Sequence, residues 1–146
     1  MKLFVKLICL VLVMGLCLPS TVFAEQEDAG TYSYYFSSYG VWLTSSSVRT
    51  LEVTFDVIGR YIMDEIGAYS IEIQRSANGT SGWVTTKTFT PDVYPQMMDS
   101  NSSAHGDFMY YTGTSGYYYR AYATFYASRN GGAGYVSSYS SVIKLS

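Results

Sequence analysis

In Thr50-Leu51-Glu52-Val53-Thr54-Phe55-Asp56-Val57, every second residue is apolar. Successive side chains of a strand point to opposite faces, so Leu51, Val53, Phe55 and Val57 share one buried side while threonine and acids face water. A helix would scatter the same four residues around its circumference. The alternation returns in Tyr69-Ser70-Ile71-Glu72-Ile73-Gln74, with Tyr69, Ile71 and Ile73 expected inward. Ala77-Asn78-Gly79-Thr80-Ser81-Gly82 reads as a turn, because an Asn-Gly pair tolerates positive φ. Trp83 to Thr90 is a further β-prone run, ended by Pro91 and then Pro95, and completes a hairpin.

The rest of the chain follows the same punctuation. Pro91 to Gly106 reads as a polar loop, and Phe108 to Thr112 as a short strand. Gly113-Thr114-Ser115-Gly116 makes a tight turn before Tyr117 to Ala127, the longest β-prone run. Asn130-Gly131-Gly132-Ala133-Gly134 closes that run, and Tyr135 to Leu145 supplies the last strand. Thr31 to Ser45 holds one strand or two, interrupted near Gly40. The stretch from Gly59 to Gly67 has room for one helical turn, at Ile62 to Ile66. No internal repeat is visible.

The first 24 residues read as a signal peptide for secretion. Lys2 and Lys6 open it, Leu7 to Leu18 form an apolar run, and Val22-Phe23-Ala24 suits cleavage after Ala24. A run of that length falls short of the roughly 20 residues that span a bilayer, so no membrane insertion is expected after cleavage. Removing 24 of the 146 residues leaves 122, and both cysteines, Cys9 and Cys17, leave with the signal. The expected mature chain carries 7 basic and 11 acidic residues, net −4, and has no cysteine. Disulfide scaffolds, thiol nucleophiles, cysteine metal sites and a basic nucleic-acid surface are thereby excluded.

Composition agrees with strands. All 16 tyrosines follow Ala24, whereas leucine occurs there only at Leu43, Leu51 and Leu145. Tyrosine, threonine and valine fit a pleated, half-buried surface, and leucine is the usual filling of helical cores. The aromatic content also argues against disorder, except at Glu25 to Gly30. The expected fold is all-β: a single antiparallel β-sandwich of about seven strands over residues 31–146.

Three segments resemble parts of fibronectin type III and immunoglobulin-like sandwiches. Thr50 to Val57 resembles strand B, with Phe55 where tryptophan is more usual. Ala68 to Thr90 resembles the C and C′ hairpin, with Trp83 after the turn. Gly113 to Gly134 resembles the corner, strand F and glycine-rich loop, with Tyr117 at the position of the tyrosine corner. The resemblance implies that Tyr117 ties its hydroxyl to backbone upstream. In overall look, the chain is similar to small secreted sandwich proteins of Gram-positive bacteria. The match does not imply an activity, since such sandwiches host many unrelated roles.

Catalytic chemistry finds little to use. His105 is the sole histidine, in Asn101-Ser102-Ser103-Ala104-His105-Gly106-Asp107. Neighbours in one polar loop rarely hold the geometry that a nucleophile triad demands, so no catalytic residue is assigned. Asp99-Ser100-Asn101-Ser102-Ser103 with Asp107 offers oxygen ligands for a cation such as calcium. It lacks the glycine and glutamate of an EF-hand loop, so no metal or cofactor is assigned. Asn78-Gly79-Thr80 and Asn101-Ser102-Ser103 match the N-glycosylation pattern and mark exposed turns.

Tyrosine is the remaining signal. If Tyr117, Tyr119, Ala121, Ala123 and Phe125 face inward, then Tyr118, Arg120, Tyr122, Thr124 and Tyr126 face out in a row. Tyrosine suits both sugar stacking and protein contact, because it offers a flat ring and a hydroxyl at low rotamer cost. Tyr32, Tyr34, Tyr35, Tyr39, Tyr135 and Tyr139 are expected to extend that surface. Tyr118, Arg120, Tyr122 and Tyr126 are therefore the candidate ligand-binding residues, and Tyr117, Phe55 and Trp83 the structural ones. The expected function is a secreted, non-enzymatic module binding an extracellular glycan or protein, through these strands or through loops at Gly59–Gly67 and Ser128–Gly134. A secreted toxin or bacteriocin-like effector is the alternative, and a small hydrolase centred on His105 a third.

Overall fold

The computed structural model describes residues 34–146. The signal-peptide reading, the flexible start at Glu25 to Gly30 and Tyr32 lie outside the described residues. The described chain is all-β. Its strands are β1 (Phe36–Ser47), β2 (Thr50–Ser76), β3 (Val84–Phe89), β4 (Met98–Thr112), β5 (Tyr118–Arg129), β6 (Gly132–Tyr139) and β7 (Ile143–Lys144). All pairings are antiparallel within one seven-stranded sheet. That sheet curls into a half-barrel, so hydrogen bonds run between its two halves through a shared strand.

The shared strand is β2, at 27 residues. Its first part pairs with β1 on one side and β4 on the other. Its last part pairs with β5 on the first side and β3 on the second. Two limbs result, β1-β2-β4 and β3-β2-β5-β6, and they fold toward each other around a common core. Leu51, Val53, Phe55 and Val57 fill the first limb's inner side, as their spacing predicts. Ile71 and Ile73 of β2, with Tyr119, Ala121, Ala123, Phe125 and Ala127 of β5, fill the second. Alanine at three of those β5 positions leaves room for the large rings opposite, and Phe55 and Phe125 meet with ring centroids 6.4 Å apart. Burying a phenylalanine side chain contributes about 1.5–3 kcal/mol.

Several boundaries differ from expectation. Gly59 to Gly67 is strand, not loop, and no helical turn forms at Ile62 to Ile66. Between Ile58 and Met63, β2 advances five residues while β4 advances only from Ala104 to Ser102. The surplus arches outward, and Arg60 ties it down by donating to the carbonyls of Tyr35 (2.9 Å) and Phe36 (3.0 Å). From Glu65 to Gly67, pairing with β4 on one side and β5 on the other satisfies backbone groups that a lone helical turn would leave open. The polar segment Asp99 to Gly106 is likewise strand, because β2 supplies it with a partner. Thr31 to Ser45 holds one strand in its described part, continuous through Gly40. The expected last strand divides into β6 and β7, and between them the Ser140 hydroxyl accepts the N–H of Ala121 at 2.8 Å.

The tyrosine whose hydroxyl ties to backbone upstream is Tyr119 rather than Tyr117. Its ring is buried, and its hydroxyl accepts the N–H of Thr114 at 2.7 Å and donates to that residue's carbonyl at 3.3 Å. Tyr117 is half-buried beneath the guanidinium of Arg75, 4.4 Å from its ring centroid. Tyr117 shares the parity of Tyr119 but precedes β5, whereas Tyr119 lies within the strand, packed against Tyr111 and the turn at Gly113. Elsewhere, the free edges of β1 and β6 approach one another. Tyr35 seals the gap by lying across Gly134, where an added Cβ would stand 2.8 Å from the ring.

Candidate functional site

The outward row of β5 carries Tyr118, Arg120, Tyr122, Thr124 and Tyr126, all partly covered. Cross-strand register decides what joins them. Tyr122 stands opposite Tyr139 of β6 and Tyr126 opposite Tyr135, with centroids 4.5 Å and 5.0 Å apart. Aromatic pairs on one sheet face attract beyond their buried area. The face is therefore contiguous across β5 and β6.

Its two ends differ. At the end near the chain terminus, Arg120 lies between Trp83 and Tyr139, with its guanidinium 4.3 Å and 4.4 Å from their ring centroids. Its Nε also donates to the side-chain oxygen of Gln74 at 2.8 Å. Tyr118 is engaged by Lys144 at 5.3 Å and packs against the turn at Gly79. Gly79 has φ +77 and would place a Cβ 2.7 Å from that ring, so glycine is required there. Charges and rings at this end are matched to one another. Trp83 belongs to this stack on the outer face, outside the hydrophobic core.

The other end opens into a cleft of about 420 Å³. Three tyrosines, Tyr69, Tyr126 and Tyr135, form one wall. Thr90, Pro91 and Asp92, just beyond β3, also line it, as do Glu65, Ser70 and Met98. Tyr69 reaches the outer face through a β-bulge. Ala68 pairs with Phe125 and Ser70 with Thr124, so Tyr69 is the extra residue between them. It is 53% exposed, whereas the alternation read from Ile71 and Ile73 would have placed it inward. Tyr69 meets Tyr135 edge-on at 5.4 Å and Tyr126 at 6.4 Å.

Gly67 positions the middle of the cleft. It pairs with Tyr126 of β5 and Met98 of β4, and its missing side chain lets the Met97–Met98 backbone lie against β2. A Cβ there would stand 2.8 Å from the Met98 Cα. The packed neighbours of Tyr135 desolvate its hydroxyl and, with the nearby Tyr69 and Tyr126 hydroxyls, raise its pKa above the usual tyrosine value.

Of the expected site residues, Tyr126 lines the cleft, Tyr122 stands along the same face, and Tyr118 and Arg120 sit in the matched stack. Tyr135 and Tyr139 extend the surface. Tyr34, Tyr35 and Tyr39 do not: Tyr34 contacts Tyr35 and Tyr61, and Tyr39 rests on Phe36 and Phe125 beside the β1–β6 gap. Tyr69, Glu65, Asp92 and Met98 were not anticipated. The break in apolar rhythm at Gly67-Ala68-Tyr69 was the available signal, since glycine inside a strand pattern marks a bulge or close backbone approach. The segments Gly59–Gly67 and Ser128–Gly134 do meet, with Arg129 4.5 Å over the Tyr61 ring and the Asn130 N–H 2.8 Å from the Asp64 carboxylate.

His105 is held elsewhere. Its Nε2 lies 2.7 Å from the Gln96 carbonyl oxygen, and its ring contacts Phe55. Asp99 and Asp107 accept the N–H of Ser100 and Phe108, each at 2.8 Å. Eight residues of extended strand separate them by roughly 25 Å, too far to share one cation. Among the described residues, no group of three or more histidine, cysteine, aspartate or glutamate side chains could hold a metal. No helix there is long and apolar enough to cross a membrane. No protein-family model, curated protein or solved structure matches the chain.

Proposed function

We propose that this chain is a secreted, non-enzymatic binding module that recognises an extracellular glycan or protein. The observation that carries the reading is the convergence of Tyr69, Tyr126 and Tyr135, from three strands, on one side of an open cleft. Tyrosine rings presented together on a rigid sheet suit the faces of sugars and the side chains of a protein partner. Secretion rests on the apolar segment that precedes Ala24. The finer assignment to the immunoglobulin or fibronectin type III sandwich belongs to the same proposal. It is supported by the face-to-face packing of the two limbs and by the Tyr119 corner.

A glycan array and a pull-down against extracellular proteins test the reading together. Binding on either, lost in Tyr126→Ala and kept in Tyr34→Ala, is the expected result. Blank results on both at high protein concentration, or binding indifferent to Tyr126→Ala, would overturn it.

A further inference from the structure

The cleft and the rest of the tyrosine face differ in charge as well as shape. Arginine and lysine accompany the rings at the matched end, where Arg120 and Lys144 already occupy the faces of Trp83, Tyr139 and Tyr118. The cleft lining includes two carboxylates, Glu65 and Asp92, and no lysine, arginine or histidine. Tyr69, Tyr126 and Tyr135 make a corner with centroid separations of 5.0, 5.4 and 6.4 Å. Ring faces carry negative electrostatic potential, and attract a cation within about 6 Å of the centroid. An organic cation set on that corner meets ring faces in a cleft whose lining also carries both carboxylates.

We infer that the cleft selects ligands presenting an alkylammonium group, seated on the Tyr69–Tyr126–Tyr135 corner and balanced by Glu65 and Asp92. The inference rests on the proposed binding function and names the chemistry that the same site takes. Recognition of this kind depends on desolvated positive charge spread over methyl or methylene groups. A hard metal ion, which demands several oxygen ligands, is poorly served by two carboxylates and three rings. The group could reach the cleft on an amino sugar, on a choline-type substituent or on a lysine side chain, all of which share the cationic nitrogen.

The test uses the purified protein and nuclear magnetic resonance of its tyrosine rings. Choline, glucosamine and Nα-acetyl-lysine amide are titrated beside uncharged counterparts: the carbon isostere of choline, N-acetylglucosamine, and lysine amide acetylated at both nitrogens. The expected result is saturable perturbation of the Tyr69, Tyr126 and Tyr135 signals by at least one cation. Its neutral counterpart should bind about tenfold more weakly or worse, the equivalent of about 1.4 kcal/mol. Glu65→Gln and Asp92→Asn should each weaken that binding several-fold, with the far-ultraviolet circular dichroism unchanged. The strongest of the three cations identifies the source. Equal binding of charged and neutral probes overturns the inference, as does perturbation that never saturates. If no cation binds while a glycan or protein partner still depends on Tyr126, this inference fails and the binding function stands. If nothing binds the face at all, both fall.

Discussion

The two limbs carried by β2 are built from similar residues but behave differently on their outer sides. In the β1-β2-β4 limb, register runs unbroken from Leu51 to Ile58 against β4, and each outward residue takes the place that alternation gives it. Trp42, Thr54 and Phe108 stand in one row across three strands, so a threonine separates the two exposed aromatics. Trp42 folds over Gly40 instead of reaching Phe108. In the β3-β2-β5-β6 limb, the bulge at Tyr69 adds an outward ring that regular pairing would have turned into the core. Three rings then converge, and a cleft opens beside them. The recess lies beside the bulge at Tyr69, where the pairing of β2 with β5 is interrupted. Sites placed where local rules break are a recurrent feature of proteins.

That contrast can be broken or sharpened by substitution. The largest effect is expected for Phe55→Ala in the regular limb, where removal of a ring that is 1% exposed should cost about 3–5 kcal/mol. An unchanged urea midpoint would show that the core does not depend on that limb as described. Next is Gly67→Ala at the junction, where the new methyl group would press on the Met97–Met98 backbone. A loss of about 1–3 kcal/mol is expected, with shifted signals from the Tyr126 ring. A fully stable variant would mean that the cleft floor yields easily. The smallest stability effect belongs to Tyr69→Ala, about 0.2–1 kcal/mol for lost aromatic pairing. Partner binding should nevertheless fall sharply in that variant and remain intact in Trp42→Ala. Equal binding losses in both would erase the distinction between the limbs.

Legibility in the sequence followed the same division. Phe55 and Val53 were readable as core because nothing interrupts their alternation. The β5 row was readable for the same reason, inner and outer residues alike. Tyr69 escapes the alternation because it is the one inserted residue, across which the buried parity changes from Ile66 and Ala68 to Ile71 and Ile73. Gly59 to Gly67 was misread because an arch of surplus residues has no periodicity. Glu65, Asp92 and Met98 could not be found from spacing at all, since β2, the turn after β3 and β4 come together only when the sheet curls.

By itself, the order of residues determined that the described chain would be β-structure, which strand cores it would hide, and that tyrosines would stand in a row on its surface. These properties depend on near neighbours, and side-chain parity along an extended backbone is a local rule. The tertiary structure alone decided that one strand would serve both limbs, and that three rings and two carboxylates would line one cleft. Those outcomes depend on register between segments far apart in the chain, which no short window of sequence contains.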